Sequence, residues 1–366
     1  ISYVLAMIEI AAGDAAHSTI LSVNNSLFCN GILKFGTEAQ KQLYVRAIAE
    51  GREIGAFALT EPQSGSDATA MRCKAVKQAD GAYIVNGKKS WITSGPVAKY
   101  IVLFAMTDAD KGARGISAFM IDTTREGFHR GKTEPKLGIR ASQTTEDVLE
   151  NCRVPTAYLL GGMDKLNKKL ENARSGKKVG GANALATFEI TRPFVGASAI
   201  GIARAAYEFT LDFLAEKKID GKPALDNPGI HQQLADLATE IEAARLLVQR
   251  ASWMAANGKP LVGGQGSMSK LKCGDVAMWA TAKCMDLIGP EAWDTALPLE
   301  KWYRDAKIYQ IFEGTAQVQR LVVSRMQRAE YQRKLIEAQA ILEQAPGNAT
   351  GDVIARWNAD VYRRDD

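Results

Sequence analysis

What most limits the fold of this chain is that its apolar residues change period twice. From Ile1 to about Ala49 they recur at helical spacing, with a break at Ala12-Gly13-Asp14. From Ile54 to about Val154 short runs rich in β-branched residues take over, and past Pro155 the helical period returns and stays. Helices, then strands, then helices predict an α+β protein of three domains. At roughly 100 to 200 residues per domain, 366 residues allow two or three. The expected spans are 1–53 for a first helical domain, 54–158 for a β domain and 182–326 for a second helical domain. Residues 159–181 stand apart as a basic, glycine-rich loop, and residues 327–366 as a C-terminal extension. Ile1 is not Met and already sits in apolar helical sequence, so a processed, trimmed or incomplete form with a shortened first domain is expected. No basic stretch precedes it of the kind that opens a retained secretory signal.

Local signals fill in this outline. Gly36 stops the second helix, and Thr37-Glu38-Ala39-Gln40 has the form of an N-cap with Gln at N3. Tyr83-Ile84-Val85 followed by Asn86-Gly87 predicts a hairpin turn. Tyr100 to Met106 and Ile116 to Ile121 read as strands separated by the polar loop Thr107 to Gly115. Later, Ala199, Ile202, Ala206, Phe209 and Phe213 mark one apolar helix face. Ile230, Leu234, Leu237, Ile241 and Val248 mark another, beyond the helix-breaking loop Asp220 to Gly229. Ala306 to Met326 reads as helix interrupted at Gly314, and the polar tail as helix to Glu343 with a break at Pro346-Gly347.

Composition narrows the chemistry. His17, His129 and His231 lie far from one another and from Cys29, Cys73, Cys152, Cys273 and Cys284, which form no CxxC pair. A zinc site or a histidine-based triad is therefore not expected. The thiols read as reduced and buried, as in a cytosolic or matrix protein. A net charge of +5 without an obvious dense basic face gives nucleic-acid binding little support. No run of about 20 uninterrupted apolar residues is present to span a membrane as a helix. Gly263-Gly264-Gln265-Gly266-Ser267 sits between helical stretches and lacks the Lys-Ser/Thr ending of a phosphate loop, so it reads as a flexible turn. Any chemistry must come from carboxylates or a borrowed cofactor.

Three clusters could carry it. Phe57-Ala58-Leu59-Thr60-Glu61-Pro62-Gln63-Ser64-Gly65-Ser66-Asp67 crowds hydroxyls and a glycine into one turn, suited to a polar or anionic ligand. An ordinary capped loop explains the same residues. Trp91-Ile92-Thr93-Ser94-Gly95 offers an aromatic ring, a hydroxyl and a glycine to a flat cofactor, or simply a buried Trp at a strand end. In the segment Arg304 to Gln317, Glu313 follows Ile311-Phe312 and precedes Gly314. Desolvated there, its carboxylate would have a raised pKa and could act as a base; a solvated helix-end glutamate is the plainer reading. The segment Gly161 to Gly181 holds Lys165, Lys168, Lys169, Arg174, Lys177 and Lys178 against Asp164 and Glu171. A solvated helix with a glycine loop is the plain reading, an anion or partner contact the sharper one.

Together and in this order, the three clusters resemble the acyl-CoA dehydrogenase family of flavoproteins, in its medium-chain style. The resemblance runs from about Glu9 to Arg325. It is carried by Leu59-Thr60-Glu61-Pro62, Gly65-Ser66-Asp67, Trp91-Ile92-Thr93, Lys136-Leu137-Gly138-Ile139-Arg140-Ala141-Ser142, Val154-Pro155, Thr191-Arg192-Pro193 and Ile311-Phe312-Glu313-Gly314-Thr315. It implies an N-terminal helical domain, a central β-barrel-like domain and a C-terminal four-helix bundle, in a homodimer or homotetramer. It implies FAD, with Phe57, Leu59, Thr60, Gly65, Ser66, Trp91, Ile92 and Thr93 around the flavin, and Thr315 and Gln317 toward the diphosphate. Ser66, Thr191, Arg192, Phe312, Gly314 and Arg325 match acyl-CoA-site positions. Glu313 matches the catalytic base, which takes the pro-R α-proton while a β-hydride moves to flavin N5. The thioester carbonyl is then hydrogen-bonded by the base's own backbone N–H and a flavin ribityl hydroxyl. The resemblance also implies an acyl-CoA substrate, electron-transfer flavoprotein as acceptor and a place in fatty-acid β-oxidation. A bacterial cytoplasm or a mitochondrial matrix is the implied location.

The chain departs from the family pattern in one region. The family usually has Arg where Lys217 stands and Phe where Asp220 stands, and that Arg reaches the FAD diphosphate of the neighbouring subunit. Lys217 keeps the charge without a bidentate fork. Pro228 stands for a family Gln, and Asp286 with Gly289-Pro290-Glu291-Ala292 for a Gln and a glycine-rich turn. Altered or weakened ADP-side binding, or a different partner chain, is the expectation these changes raise. The alternatives to a dehydrogenase are an acyl-CoA oxidase and an FAD-poor structural subunit of a hetero-oligomer; retained Glu313, Trp91 and Thr93 weigh against the last.

Overall fold

The computed structural model describes residues 1–174 and 183–344. Helix α1 (Ser2–Gly13) ends at Asp14, whose side chain accepts from the His17 N–H and caps α2 (Ala15–Ser22). A π-type turn over Val23–Cys29 leads into α3 (Asn30–Phe35), which stops at Gly36. Thr37 makes both hydrogen bonds of a capping box with Gln40, opening α4 (Glu38–Gln40). A second π-type turn, Lys41–Val45, and α5 (Arg46–Ala49) complete the helical segment.

Seven strands follow: β1 (Gly55–Ala58), β2 (Lys74–Lys77), β3 (Tyr83–Thr93), β4 (Tyr100–Met106), β5 (Ile116–Asp122), β6 (Phe128–Thr133) and β7 (Thr144–Val154). They form one sheet in the order β1-β4-β2-β3-β7-β6, with β5 paired to β4. β4 and β5 run antiparallel, Tyr100 opposite Asp122 and Met106 opposite Ile116, on the two apolar runs expected to be strands.

The hairpin expected at Asn86-Gly87 is corrected. The turn between β2 and β3 lies at Gln78–Ala82 and contains Asp80-Gly81, with the Gln78 N–H donating to the Ala82 carbonyl. Asn86-Gly87 lies inside β3, where the pairing with β7 shifts register between Val85 and Gly87. A Cβ on Gly87 would come within 2.6 Å of Cys73, so close packing rather than a turn demands the glycine.

Helix α6 (Gly162–Arg174) docks through Lys165, whose Nζ donates to the Phe35 carbonyl at 3.0 Å and lies over the Phe35 ring. The long α7 (Asn183–Glu216) ends in a short hairpin, β8 (Lys218–Ile219) and β9 (Lys222–Pro223). Then come α8 (Pro228–Ala256), α9 (Gln265–Ile288), α10 (Leu299–Ala306) and α11 (Ala316–Gln344). α7 packs against α1, α8 and α9, and the shared core buries Ala199, Ile202, Ala206, Leu234, Leu237, Ile241 and Val248. A second core fills the sheet, and a third, with Phe28, Ile32, Tyr44, Val102 and Met120, joins the first helices to it. The polar tail beyond Gln327 begins as an unbroken continuation of α11. Lys177, Lys178 and the glycines after them, and the break expected at Pro346-Gly347, lie outside the described residues.

The glycine run before α9 is not a flexible turn. Gly264, with φ of 83°, caps the helix, and Gly266 and Ser267 are buried in its first turn. Pro193 inside α7 lacks the N–H that would bond the Glu189 carbonyl, and Gly266 packs against that carbonyl, leaving no room for a Cβ.

Candidate active site

The sheet, α2 and its following turn, α7 and the segment between α10 and α11 enclose a cavity of about 560 Å³. On the sheet side it is lined by Phe57, Leu59, Thr60, Gly65 and Ser66, then by Trp91, Ile92 and Thr93. The first group is held by a buried ion pair. Lys89, fully enclosed in β3, donates to the Leu59 carbonyl at 3.0 Å and to Glu61 Oε1 at 2.8 Å. Glu61 also accepts the Arg72 and Cys73 amides. Burial opposes its charge, but Lys89 and the Arg72 amide outweigh that and hold the carboxyl below its ordinary value. Glu61 and Ser64 exchange both backbone hydrogen bonds, which closes the turn.

The second group owes its position to strain. The β3–β7 pairing slips between Lys89 and Ile92, and Trp91 and Ser94 both take φ of 62°. Ile92 is thereby buried while the Trp91 ring stands 60% exposed at the cavity rim. A third wall comes from Lys136 and Ile139. Ile139, β-branched at φ of 42°, is held by its N–H to Asp305 Oδ1, and Arg304 donates to the Leu137 carbonyl at 2.9 Å. Gly138 faces the Arg304 carbonyl so closely that no side chain fits there.

Opposite the sheet, Arg192 and the residues Phe312, Glu313, Gly314 and Thr315 line the cavity. Arg192 is buried, its guanidinium on Glu189 Oε2 at 2.5 Å and Ser267 Oγ at 2.7 Å. Ser267 in turn donates from N and Oγ to Glu189, which ties α9 to α7. Phe312 sets its ring edge-on to Tyr309 at 5.1 Å. Thr315 caps α11, its Oγ1 accepting from the Val318 N–H at 3.1 Å.

Glu313 and Gly314 are consecutive left-handed residues, with φ of 51° and 91°. Glu313 Oε2 is shut off from solvent and has no hydrogen-bond partner. Burial pushes this carboxyl up to about 7, against the pull of Lys270, Arg192 and the Thr191 hydroxyl. The raised value anticipated for a desolvated carboxylate at this position is the one its surroundings produce. Lys270 on α9 is itself buried and donates to the Gly314 carbonyl at 2.6 Å; burial pushes its ammonium down to about 8.

The remaining residues singled out from the sequence lie off the cavity wall. Thr191 is buried beside Arg192, its hydroxyl on the Phe188 carbonyl at 3.3 Å. Gln317 and Arg325 are exposed on α11. Lys217 donates to the Ile288 carbonyl at 2.7 Å and to both oxygens of Glu291, at 3.0 and 3.2 Å. Sequence reasoning missed Lys270, Gln319, Glu189 and Ser267. Lys270 had a readable signal: it shares a helical stripe with Cys273, Ala277, Ala280 and Cys284, all buried. Among the described residues no three of His, Cys, Asp and Glu gather as a metal would need, and no helix is long and apolar enough to cross a membrane.

Comparison with known proteins places three family descriptions along the chain. Residues 1–52 match the N-terminal, 56–152 the middle and 179–328 the C-terminal domain of acyl-CoA dehydrogenase. An acyl-CoA dehydrogenase of Bacillus subtilis (strain 168) is 41% identical over 326 residues, covering 89% of this chain and 82% of that protein. The structure of butyryl-CoA dehydrogenase from Megasphaera elsdenii superposes with a TM-score of 0.81 at 39% identity, covering 88% of this chain and 80% of its own. A chain in the structure described as the electron transferring flavoprotein of Acidaminococcus fermentans also gives 0.81, at 40% identity, with 88% and 81% covered.

Proposed function

The chain belongs to the acyl-CoA dehydrogenase family, and from that premise we propose that it removes hydrogen from the α and β carbons of an acyl-CoA thioester with Glu313 as the base. One observation carries the assignment: a carboxylate with an unpartnered buried oxygen faces a cavity whose other walls are aromatic, aliphatic and hydroxyl-bearing. That lining suits a flavin. The Trp91 ring and the Phe57, Leu59 and Ile92 side chains offer apolar faces, while Thr60, Ser66, Thr93 and Thr315 offer hydroxyls to a ring edge or phosphate. FAD held there supplies the two-electron acceptor for the β-hydrogen.

The protein's own contributions follow from the site. Glu313 takes the α-proton, and its enclosure makes the ionised carboxylate a stronger base than a solvated glutamate. The backbone N–H of Glu313 is assigned to the thioester carbonyl oxygen, where charge develops. Arg192, neutralised by Glu189, and Ser66 and Phe312 on facing walls orient the substrate. Thr191, Gly314 and Arg325 keep their proposed place near the acyl-CoA path, and Gln317 its place toward the FAD diphosphate. A short acyl group is the first choice, given the likeness to a butyryl-CoA enzyme. Electron-transfer flavoprotein is the proposed acceptor, and a homodimer or homotetramer the proposed assembly.

Anaerobic addition of a panel of acyl-CoA and acyl-carrier-protein thioesters, read as bleaching of the bound flavin, tests this. Bleaching by short acyl-CoA is expected, and its loss in Glu313→Gln with flavin retained. A Glu313→Gln protein of undiminished turnover would overturn the base. Peroxide release in air, without dye reduction, would favour an oxidase.

The ADP side is a separate matter. Lys217, the proposed counterpart of the family's diphosphate-contacting Arg, spends its charge on Glu291 of its own chain. That pairing supports weaker ADP-side binding. Flavin per chain in the purified protein, before and after Glu291→Gln, measures it; one tightly held FAD per chain in the unaltered protein would remove the idea.

A further inference from the structure

Two carbonyls of the Glu313-Gly314 turn receive three hydrogen bonds from two side chains, one on α9 and one on α11. Gln319, fully buried on α11, donates from Nε2 to the Glu313 carbonyl at 3.1 Å and to the Gly314 carbonyl at 3.0 Å. Lys270, 1% exposed on α9, donates from Nζ to the same Gly314 carbonyl at 2.6 Å. The turn needs holding. A glutamate at φ of 51° is in a region that non-glycine residues avoid, and such conformations persist only where surroundings over-determine them. Gly314, at φ of 91°, is in a conformation that side-chain-bearing residues rarely adopt, and a Cβ there would push Gln319 Nε2, 2.5 Å away, off the turn. Because each peptide is planar, fixing the Glu313 carbonyl fixes the Gly314 N–H opposite and the backbone torsion beside it. The direction of the Glu313 side chain follows from those torsions.

Lys270 adds a charge. Buried ammonium groups are costly unless something nearby compensates them. The acids facing this one are Glu313 across the turn and Asp275 on α9, with Arg192 on α7 opposing. Arg192 is paired to Glu189, Asp275 to Arg320, and the phenol of Tyr3 on α1 also faces Glu313. Glu313 is therefore the one carboxylate in this group without an ion-pair hydrogen bond.

We propose that Lys270 and Gln319 are positioning residues for the base: together they clamp the left-handed Glu313-Gly314 turn so that the carboxylate is aimed into the cavity, and the Lys270 ammonium, seated on the Gly314 carbonyl, adds a positive charge beside that turn. The proposal rests on the reading of Glu313 as base. It distinguishes two effects. Gln319 acts through geometry alone, whereas Lys270 acts through geometry and charge.

The test uses the flavin-loaded protein and the variants Lys270→Met, Lys270→Arg, Gln319→Leu and Glu313→Gln. Lys270→Met is expected to lower kcat by roughly a hundredfold, the order that misplacement of a reacting group costs. Removing a nearby cation makes the carboxylate harder to ionise, so the acidic limb of the kcat/KM profile should move up by about one pH unit. Gln319→Leu is expected to lower kcat with the limb unmoved, and Lys270→Arg to restore the limb to near its original position. Infrared difference titration of the carboxyl, with Glu313→Gln as the blank, reads the same shift without turnover. Unchanged kcat, limb and infrared titration in a folded Lys270→Met would overturn the clamp; should that variant not fold, an unaltered kcat in Gln319→Leu would do so. An active Glu313→Gln would instead sink the base itself, and the two failures are thus separable.

Discussion

Two carboxylates of this chain with oxygens shut off from solvent are pushed up to about 7 by the same cause, burial. At Glu313 burial dominates, and Lys270 and Arg192 oppose it. As the proposed base, Glu313 must be ionised to act, so kcat/KM should fall about tenfold per pH unit below 7 and level off above it; a pH–rate profile from 5 to 9 checks this. Asp147 on β7 is fully buried, both its oxygens lack partners, and burial outweighs the nearby Arg130. Its folded value lies above that of the unfolded chain, so folding takes up a proton. The stability this group allows is complete below the unfolded value near ~4 and is lost as pH rises through about 7. Asp147→Asn should therefore raise the urea midpoint at pH 8 and change it little at pH 4. If the midpoint difference does not grow between those pH values, the carboxylate is paired in solution. Neither residue was equally visible in the sequence: Glu313 stood in a bulky motif before a glycine, whereas Asp147 sits in Thr144-Thr145-Glu146-Asp147, where nothing local announces burial.

Elements whose ends are fixed by their own residues were legible. Thr37 and Gln40 make the capping box their spacing suggests, and the runs at Tyr100 and Ile116 are strands. Elements set by a neighbour were not. Asn86-Gly87 has hairpin chemistry, but Asp80-Gly81 already turns the chain, and Cys73 presses on Gly87 from the adjacent strand. The π-type turns after α2 and α4 likewise have no local signature. The turn at Glu61 belongs to the same class, since the partner that fixes it comes from β3. Removing that partner should be severe: Lys89→Met leaves a buried charge on Glu61 and is expected to cost about 3–5 kcal/mol. Chemical denaturation measures it, and a loss under 1 kcal/mol would mean that Glu61 protonates or finds solvent. Pairing the change with Glu61→Gln should recover much of the loss.

At the scale of the whole molecule the site is made of segments that never touch in sequence. Asp305 shows how they are coupled. It holds the Ile139 N–H, and Lys301 bridges it to Asp14, the cap of α2. One carboxylate thereby fixes the first helices, the third cavity wall and the approach to Glu313. Asp305→Ala should release Ile139 from its left-handed conformation, lower Tm and raise KM for the acyl-CoA more than it lowers kcat. A variant with wild-type KM would mean the wall keeps its shape without this link. The resemblance read from sequence covered this architecture because most of its motifs contribute residues to the cavity walls. Lys270 and Gln319 escaped because they act across helices, on carbonyls that carry no residue identity. The five cysteines, all buried and unpaired, also divide among these cores: Cys29 at the helix–sheet junction, Cys73 and Cys152 in the sheet, Cys273 and Cys284 in the bundle. Burial shields each thiol and holds it above its ordinary value, so alkylation is expected to wait on local opening of the fold. Each core thus carries its own chemical clock, and the order in which the five thiols are alkylated under native conditions would rank which part of the molecule opens first.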